Sequence, residues 1–526
     1  MKIKNIFITA LAALSLTSCM DLEPVSSISD SKYWKDQAQF AAFNVGLQGL
    51  FREKSFQFYE WGELRTNLYA GTPFSGEAVH YNNLFNNTLN ATTPEVTDFG
   101  GVYTIINQIN LMISHTENTD VLNEAQRKTY LGAAYGMRAY LYFHLLRTYG
   151  KAVLWLDYTT GNKVDISNMG KAEASAQEVM EQIKKDIKAS EDAYGADMSF
   201  TNGRVYWSHP ATEVLKGEVY LWSGKQMNGG NSDYTIAKTA LESLKTADVA
   251  LENNYRQVFA FDNKENKEII FAIHNGRDEY NMFNDALRLN LVMNQMMMEN
   301  YYLSDGTQMS KSEMSDMNGV VYIPLNTKLY KDLFREGDTR RQYSLKDCYT
   351  KNADGSLQYV GVVQYKFIGV SLPGNSYRSF LEDYPIYRYA DALLLLAETK
   401  ILLNEDPSAE INAVRERAYG KEYFAEHRDQ LAYPHDTDNS FYANNPFVGS
   451  DANPIEAVLK ERCREFLLEG KRWYDLRLMG AEYCTKYTSA NAKRLLWPID
   501  QNSLGENSLL KQTEGYNNSN FRNTII

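Results

Sequence analysis

The chain has 526 residues and a formal net charge of −12, with 23% charged and 13% aromatic residues. This length is ample for a large hydrophobic core in one or two domains. The acidic balance, without a basic run beyond the N-terminus, argues against a nucleic-acid partner. The four cysteines and seven histidines form no CxxC or HExxH pattern, so the sequence predicts neither a metal site nor a cofactor.

The first 18 residues have the features of an export signal. Two lysines precede an apolar stretch at residues 6–16 that is too short to span a bilayer comfortably. The stretch ends in Leu-Thr-Ser-Cys, which resembles the lipobox of bacterial lipoproteins. That resemblance implies cleavage before Cys19 and acylation of this residue, and multiple acyl chains would anchor the protein stably. We therefore predict a signal peptide over residues 1–18 and one lipid-tethered domain over residues 19–526.

Residues 30–52 predict a helix with an aromatic and apolar face, and the sequence then changes character. Residues 53–100 are rich in Asn, Thr, Gly and aromatic residues without a sustained period, as is typical of a functional or mobile segment. Flat aromatic faces can stack on sugar rings while neighbouring polar side chains bond the hydroxyls. The candidate ligand-binding residues of this first loop region are Trp61, Arg65, Asn67, Tyr69, Phe74, His80, Tyr81 and Asn82.

Helical periodicity dominates the next part of the chain. Consecutive helix–turn–helix pairs of this length are what a tetratricopeptide array needs, because stacked pairs bury faces that no single pair could bury, although no strict repeat period is readable. The predicted helices span residues 102–117, 124–149, 175–194, 210–223 and 234–252.

A second irregular region covers residues 253–385. It includes a short strand predicted at 268–274 and a hairpin predicted around Asp354 and Gly355. Its Asn-, Asp- and aromatic-rich part has the same chemistry as the first loop region. We therefore predict ligand-binding loops at about 53–100 and 270–385, and the second contributes the candidates Tyr280, Asn281 and Phe283.

Two further helices are predicted at residues 388–403 and 411–420, and a long one at 453–480. Asn453 and Glu456 suit the ends of a capping box, and apolar residues recur at three- and four-residue spacing over roughly seven turns. Gly470 in the interior predicts close approach of a neighbouring helix. We predict an ion-pair lattice rather than catalytic carboxylates for this helix, with the charged residues Glu461, Glu465, Glu469, Arg464, Arg472 and Arg477.

The segment ERCREFLLEGKRWYDLRLMG at residues 461–480 resembles the C-terminal signature of the SusD/RagB family of Bacteroidetes surface lipoproteins. Cys463 stands where that family usually has Arg, and Leu478 where a second Arg is common. We interpret Cys463 as a small buried hydrophobe, while one disulfide among Cys348, Cys463 and Cys484 is left open. Weaker resemblances extend over nearly the whole mature chain.

This resemblance implies a mostly α, tetratricopeptide-like scaffold of helix pairs with irregular loops and small β-hairpins. It also implies an outer-membrane lipoprotein facing the cell exterior. Such a protein captures an oligosaccharide or polysaccharide and delivers it to a SusC-like TonB-dependent transporter, without catalysis. Two alternatives stay open: the same scaffold with a peptide cargo, or a surface glycoside hydrolase using two loop carboxylates such as Glu63, Glu77 or Asp278.

Overall fold

The computed structural model describes residues 33–74, 79–93, 95–159, 170–279, 282 and 291–516. The predicted signal peptide and Cys19, together with Tyr280, Asn281 and Phe283, lie outside these residues. Within the described ranges, each helix is too short or too polar to span a lipid bilayer.

Helices make up most of the regular structure, and the strands are short. The helices are α1 (Gln37–Glu53), α2 (Ser55–Glu63), α3 (Asn82–Phe85), α4 (Tyr103–Glu117), α5 (Glu124–Tyr149), α6 (Ala176–Tyr194), α7 (His209–Gln226), α8 (Gly230–Ser243), α9 (Tyr255–Val258), α10 (Gln295–Met298), α11 (Thr327–Asp332), α12 (Thr339–Ser344), α13 (Tyr389–Leu402), α14 (Ser408–Tyr419), α15 (Lys421–Glu426), α16 (Arg428–Leu431), α17 (Asn439–Asn444), α18 (Pro454–Glu465), α19 (Arg472–Met479), α20 (Ala481–Tyr487) and α21 (Gln501–Glu506). The strands are β1 (Ile269–Ile273), β2 (Leu345–Lys351), β3 (Leu357–Gln364) and β4 (Tyr384–Arg388).

Neighbouring helices in the chain pack on one another, as the sequence predicts. Contacts join α4 to α5, α5 to α6, α7 to α8 and α13 to α14. Helix α5 lies at the centre, because every residue from Met137 to Tyr149 is buried. It begins at a capping box of Asn123 and Gln126 and stops at Gly150, which is left-handed at φ 78°. The prediction of a mostly α fold built from helix pairs is confirmed.

The four strands form two separate antiparallel ladders, β1 with β4 and β2 with β3. The second ladder is the hairpin predicted around Asp354 and Gly355, and Gly355 supplies the left-handed turn residue at φ 86°. The first ladder brings residues 269–273 beside residues 384–388, immediately before α13.

The first loop region contains a helix that the sequence analysis missed. Helix α2, with the sequence SFQFYEWGE, has all but one of its nine residues buried. A helix covered on every side needs no polar face, so it lacks the amphipathic period by which helices are recognised. The prediction that residues 53–100 are irregular throughout is therefore wrong over Ser55–Glu63.

The long helix predicted at residues 453–480 is two helices joined by a turn. Between α18 and α19 the chain adopts left-handed conformations at Leu468 (φ 66°) and Gly470 (φ 72°). Asn453 does cap α18 by accepting from the N–H of Ile455 (3.0 Å), whereas Glu456 bonds Tyr487 instead of completing a capping box. The period continues through the turn because both helices bury the same side of the chain, and periodicity alone could not show the break.

The close approach predicted at Gly470 is present. The Gly470 carbonyl lies against Gly62 of α2, where a Cβ atom would stand 1.8 Å from its oxygen. The three cysteines Cys348, Cys463 and Cys484 are free and buried, so the disulfide that the sequence left open does not form.

The predicted ion-pair lattice exists, but its cations come from distant segments. Glu461 accepts from Arg340 (2.7 Å) and Arg415 (2.8 Å), and Glu465 from Arg340 (3.0 Å) and Arg388 (2.6 Å). Burial alone would raise the pKa of Glu461, but Arg340 and Arg415 together lower it to about 2. The predicted intrahelical partners mainly bond backbone carbonyls: Arg464 that of Leu333, Arg472 that of Leu459, and Arg477 those of Arg147 and Leu495.

Candidate ligand-binding surface

The two loop regions that the sequence analysis singled out lie side by side. The N–H of His80 donates to the carbonyl of Tyr322 (3.0 Å), and the N–H of Asn326 donates to the carbonyl of Leu68 (2.9 Å). Between these bonds, Tyr69 forms a β-bridge with Leu325. Segments far apart in the sequence therefore share one surface, held by backbone hydrogen bonds.

An aromatic pair lies on this surface. The rings of His80 and Tyr322 stack with centroids 3.9 Å apart and planes 6° apart. His80 is exposed and Tyr322 is half-buried, so we call the two rings the His80–Tyr322 platform. Half-buried Tyr81 and exposed Asn82 follow directly, and the ring of Tyr81 packs against Phe56 of α2. Together they provide flat aromatic area beside an amide, which suits a polyhydroxylated ligand.

The other described candidates lie beneath the surface. Trp61 donates its indole N–H to Thr97 (2.8 Å), Tyr69 donates to Glu63 (2.9 Å), and Phe74 packs on Tyr301 with ring centroids 5.3 Å apart. These side chains are buried and support the loop from below.

Arg65 and Asn67 are also buried. The guanidinium of Arg65 donates to the carbonyls of Arg494 (2.5 Å) and Leu495 (2.9 Å) and lies over the ring of Trp473. The side-chain amide of Asn67 has no hydrogen-bond partner among the described residues. The structure thus brings His80, Tyr81 and Asn82 together at the surface and assigns the five earlier candidates to its underside.

Glu63, one of the carboxylates considered for hydrolysis, has a structural position. It accepts from the backbone N–H groups of Leu468 (2.9 Å), Gly470 (2.6 Å) and Lys471 (3.2 Å). Burial raises the pKa of Glu63 to about 7 even though the hydroxyl of Tyr69 and these N–H groups favour the ionised form. The carboxylate therefore holds the turn between α18 and α19 against α2, while Glu77 lies outside the described residues and Asp278 is exposed.

Glu60 makes the stability of the protein depend on pH in a way that can be tested. Burial, with a smaller contribution from Glu95, raises the pKa of Glu60 to about 8. An acid whose pKa is raised by folding contributes stability that is present below its unfolded pKa and is lost as the pH rises through the folded value. We expect Glu60→Gln to remove this loss, so that at pH 9 the variant exceeds the parent in free energy of unfolding by about 2–4 kcal/mol.

Urea denaturation of both proteins at pH 6 and pH 9 measures this effect. Glu53→Gln, at an exposed position at the end of α1, is the control and should behave like the parent. If Glu60→Gln and the parent lose the same free energy of unfolding between pH 6 and pH 9, the raised pKa of Glu60 is contradicted.

Tyr322 is the platform residue that the sequence analysis did not single out. It lies within the second predicted loop region, in the apolar run Val-Val-Tyr-Ile-Pro-Leu at residues 320–325. Nothing in that run distinguishes a surface ring from a core ring, because only its pairing with the first loop region places it beside His80.

Helix pairs with an aromatic loop surface define the architecture, and comparison with known proteins identifies the family. Residues 262–488 match the model described as the SusD family, and residues 23–205 match the model described as "Starch-binding associating with outer membrane". The chain is 25% identical to SusD-like protein P38 of Formosa agariphila, covering 98% of this chain and 100% of that protein.

Two solved structures are more similar. NanU of B. fragilis is 53% identical with a TM-score of 0.91, covering 94% of this chain and 100% of that one. A SusD superfamily protein of Bacteroides vulgatus is 52% identical with a TM-score of 0.89, covering 92% of this chain and 100% of that one. The chain belongs to the SusD family, which confirms the resemblance carried by residues 461–480 and supports a binding role at the outer membrane.

Proposed function

We propose that this protein binds an oligosaccharide or polysaccharide at the cell surface through the His80–Tyr322 platform. The observation that carries the proposal is the exposed, parallel stack of His80 on Tyr322, with Tyr81 and Asn82 beside it. A sugar ring stacks its apolar face on such rings, while the Asn82 amide bonds its hydroxyls. The match of residues 23–205 to a model described as starch-binding supports the choice of a glycan over a peptide.

We also propose where the protein is located and which partner it serves. The protein is anchored by lipid at Cys19 in the outer membrane, faces the exterior, and hands its ligand to a SusC-like TonB-dependent transporter without cleaving it. The lipobox-like sequence before Cys19 supports the anchor, and membership of the SusD family supports the partner. The hydrogen bonds that hold Glu63 to the turn between α18 and α19 remove one carboxylate from the hydrolase alternative.

Binding is tested by native gels containing single polysaccharides, followed by calorimetry with any glycan that retards the protein. His80→Ala and Tyr322→Ala are each expected to weaken binding about tenfold or more, because the first removes the exposed ring face and the second removes the ring that supports it from behind. Both side chains are at the surface, so the midpoint of thermal unfolding should change little.

Phe261→Ala is the matched control, since Phe261 is an exposed aromatic residue outside the platform. It should leave both retardation and affinity unchanged. The same samples are assayed for released reducing ends. Unaltered affinity in His80→Ala and Tyr322→Ala would contradict the platform, hydrolysis would favour the glycosidase alternative, and binding of peptides alone would favour a peptide cargo.

A further inference from the structure

Away from both loop regions, three potential metal ligands meet between α6 and α7. One ligand atom from each of Glu191, His209 and Glu213 lies within 4.8 Å of the other two. His209 and Glu213 are four residues apart on α7 and share one face of that helix, while Glu191 comes from the end of α6. His209 and Glu213 are buried and Glu191 is half-buried.

The surroundings of His209 orient its ring as a metal ligand would be oriented. Its Nδ1 lies 3.2 Å from the carbonyl oxygen of Asp197, and its Nε2 lies 3.2 Å from Oε1 of Glu213. When the Nδ1–H donates to that carbonyl, the lone pair of Nε2 points toward the carboxylates, which is the arrangement found around metal-bound histidines. The ring of Tyr194 stacks on the imidazole and fixes its plane.

The carboxylates are held in a similar way. Glu213 uses its other oxygen, Oε2, to accept from the hydroxyl of Ser243 (3.3 Å). Glu191 lies beside Glu213, and its Oε1 accepts from Nζ of Lys216 (2.6 Å). Two neighbouring carboxylates are stabilised by a cation placed between them.

The geometry and donor set indicate the class of ion. Zinc bonds of about 2.0–2.2 Å in a tetrahedral site hold ligand atoms about 3.3 Å apart. The separation of 3.2 Å between His209 Nε2 and Glu213 Oε1 fits that edge. Calcium and magnesium prefer sites made of oxygen alone, whereas imidazole with carboxylates suits Zn²⁺. The side chains of Glu191 and Lys216 are each 21% exposed, so solvent can reach the cluster and supply a fourth ligand.

We propose that Glu191, His209 and Glu213 bind one Zn²⁺ ion that ties the end of α6 to the start of α7. Lys216 is the residue that competes with the metal, because its Nζ donates to Oε1 of Glu191 (2.6 Å). Binding displaces this ammonium toward solvent. The site is independent of glycan binding and would stabilise the helix pair whatever the ligand of the platform.

The test uses Zn²⁺ alone. The protein, without a polyhistidine tag and freed of metal with EDTA, is titrated with ZnCl₂ in a calorimeter, and its thermal unfolding is followed with and without the metal. We expect one ion per chain and a higher unfolding midpoint in its presence. His209→Gln and Glu213→Gln should weaken binding at least tenfold, and Lys216→Met should strengthen it several-fold because the competing ammonium is gone.

His427→Gln is the control. Nδ1 of His427 also contacts a backbone carbonyl (2.9 Å, that of Tyr423), but this residue is not part of the cluster, and zinc binding should be unchanged. Glu191→Gln, at the half-buried position, provides the same test if the buried variants fail to fold. Absence of binding, or equal affinity in the parent, Glu191→Gln and Lys216→Met, would overturn the proposal.

Discussion

Gly62→Ala is expected to lower the free energy of unfolding by about 3–5 kcal/mol, at the upper end of what single substitutions do. The new Cβ would stand 1.8 Å from the carbonyl oxygen of Gly470 and 2.7 Å from its carbon. Both atoms belong to the backbone, so no side-chain rotation can relieve the overlap. Helix α2 must move away from the turn between α18 and α19, and the bonds from Glu63 to that turn weaken with it.

Gly46→Ala is the control for this prediction. Gly46 lies in α1 with open space around the position of its Cβ, so the same change there should stabilise the protein by about 0.5–1 kcal/mol through helix propensity. Urea denaturation of the three proteins under one condition measures both effects. A Gly62→Ala variant as stable as the parent would show that α2 and the turn are not in contact as described.

Arg388→Met is expected to cost about 3–5 kcal/mol, because it removes a cation that pairs with three buried carboxylates. Arg388 donates to Glu268 (2.7 Å), Glu465 (2.6 Å) and Glu469 (2.8 Å), and it also bonds the backbone carbonyl of Glu465 (2.8 Å). The side chains of all four residues are almost fully buried. Methionine fills similar space but has no positive charge to pair with the carboxylates.

The cost should shrink toward acid pH, which separates a charge effect from a packing effect. Burial opposes it, but Arg417, Arg388 and Arg340 together hold the pKa of Glu465 well below its ordinary value. A carboxylate with a lowered pKa contributes stability above its unfolded pKa and loses it as the pH falls. Without Arg388 the pKa of Glu465 is lowered less, so the variant loses less stability than the parent as the pH falls below the ordinary glutamate value of 4.5, and the two proteins converge between pH 4.5 and about 3.

Urea is the suitable denaturant, since a guanidinium salt would screen the charges under study. Lys188→Met removes one half of an exposed ion pair with Asp192 and should leave the unfolding midpoint unchanged at both pH values. A cost for Arg388→Met that stays constant from pH 7 down to about 3 would attribute the effect to lost packing instead.

Much of the fold follows from local signals. Helix α5 spans Glu124–Tyr149 in both the prediction and the structure, because a capping box and a left-handed glycine mark its two ends. The failures occur where a segment is buried on all sides. Helix α2 has no polar face to reveal it, and the break before α19 is hidden because apolar residues continue through it.

The candidate surface was predictable as two regions but not as individual side chains. Trp61 and His80 are both ring-bearing residues in one aromatic segment, and only the packing of α2 makes the first buried and leaves the second exposed. Tyr322 becomes recognisable once the backbone of residues 68–80 is placed against residues 322–326. The three proposed zinc ligands could not be grouped from the sequence for the same reason, since Glu191 lies on a different helix from His209 and Glu213.

The joining of the two loop regions through main-chain atoms has a consequence for how such a protein diversifies. Every residue other than proline carries the same amide N–H and carbonyl. Substitutions at residues 80 and 322 therefore keep the backbone hydrogen bond that joins the two loop segments. The aromatic side chains at these positions can be replaced by other aromatic, amide or charged side chains while the backbone of the two loop segments keeps its conformation. On the proposed role of the platform, a new ligand can therefore be recognised by changing a few exposed side chains, with the buried charges and helix pairs left as they are.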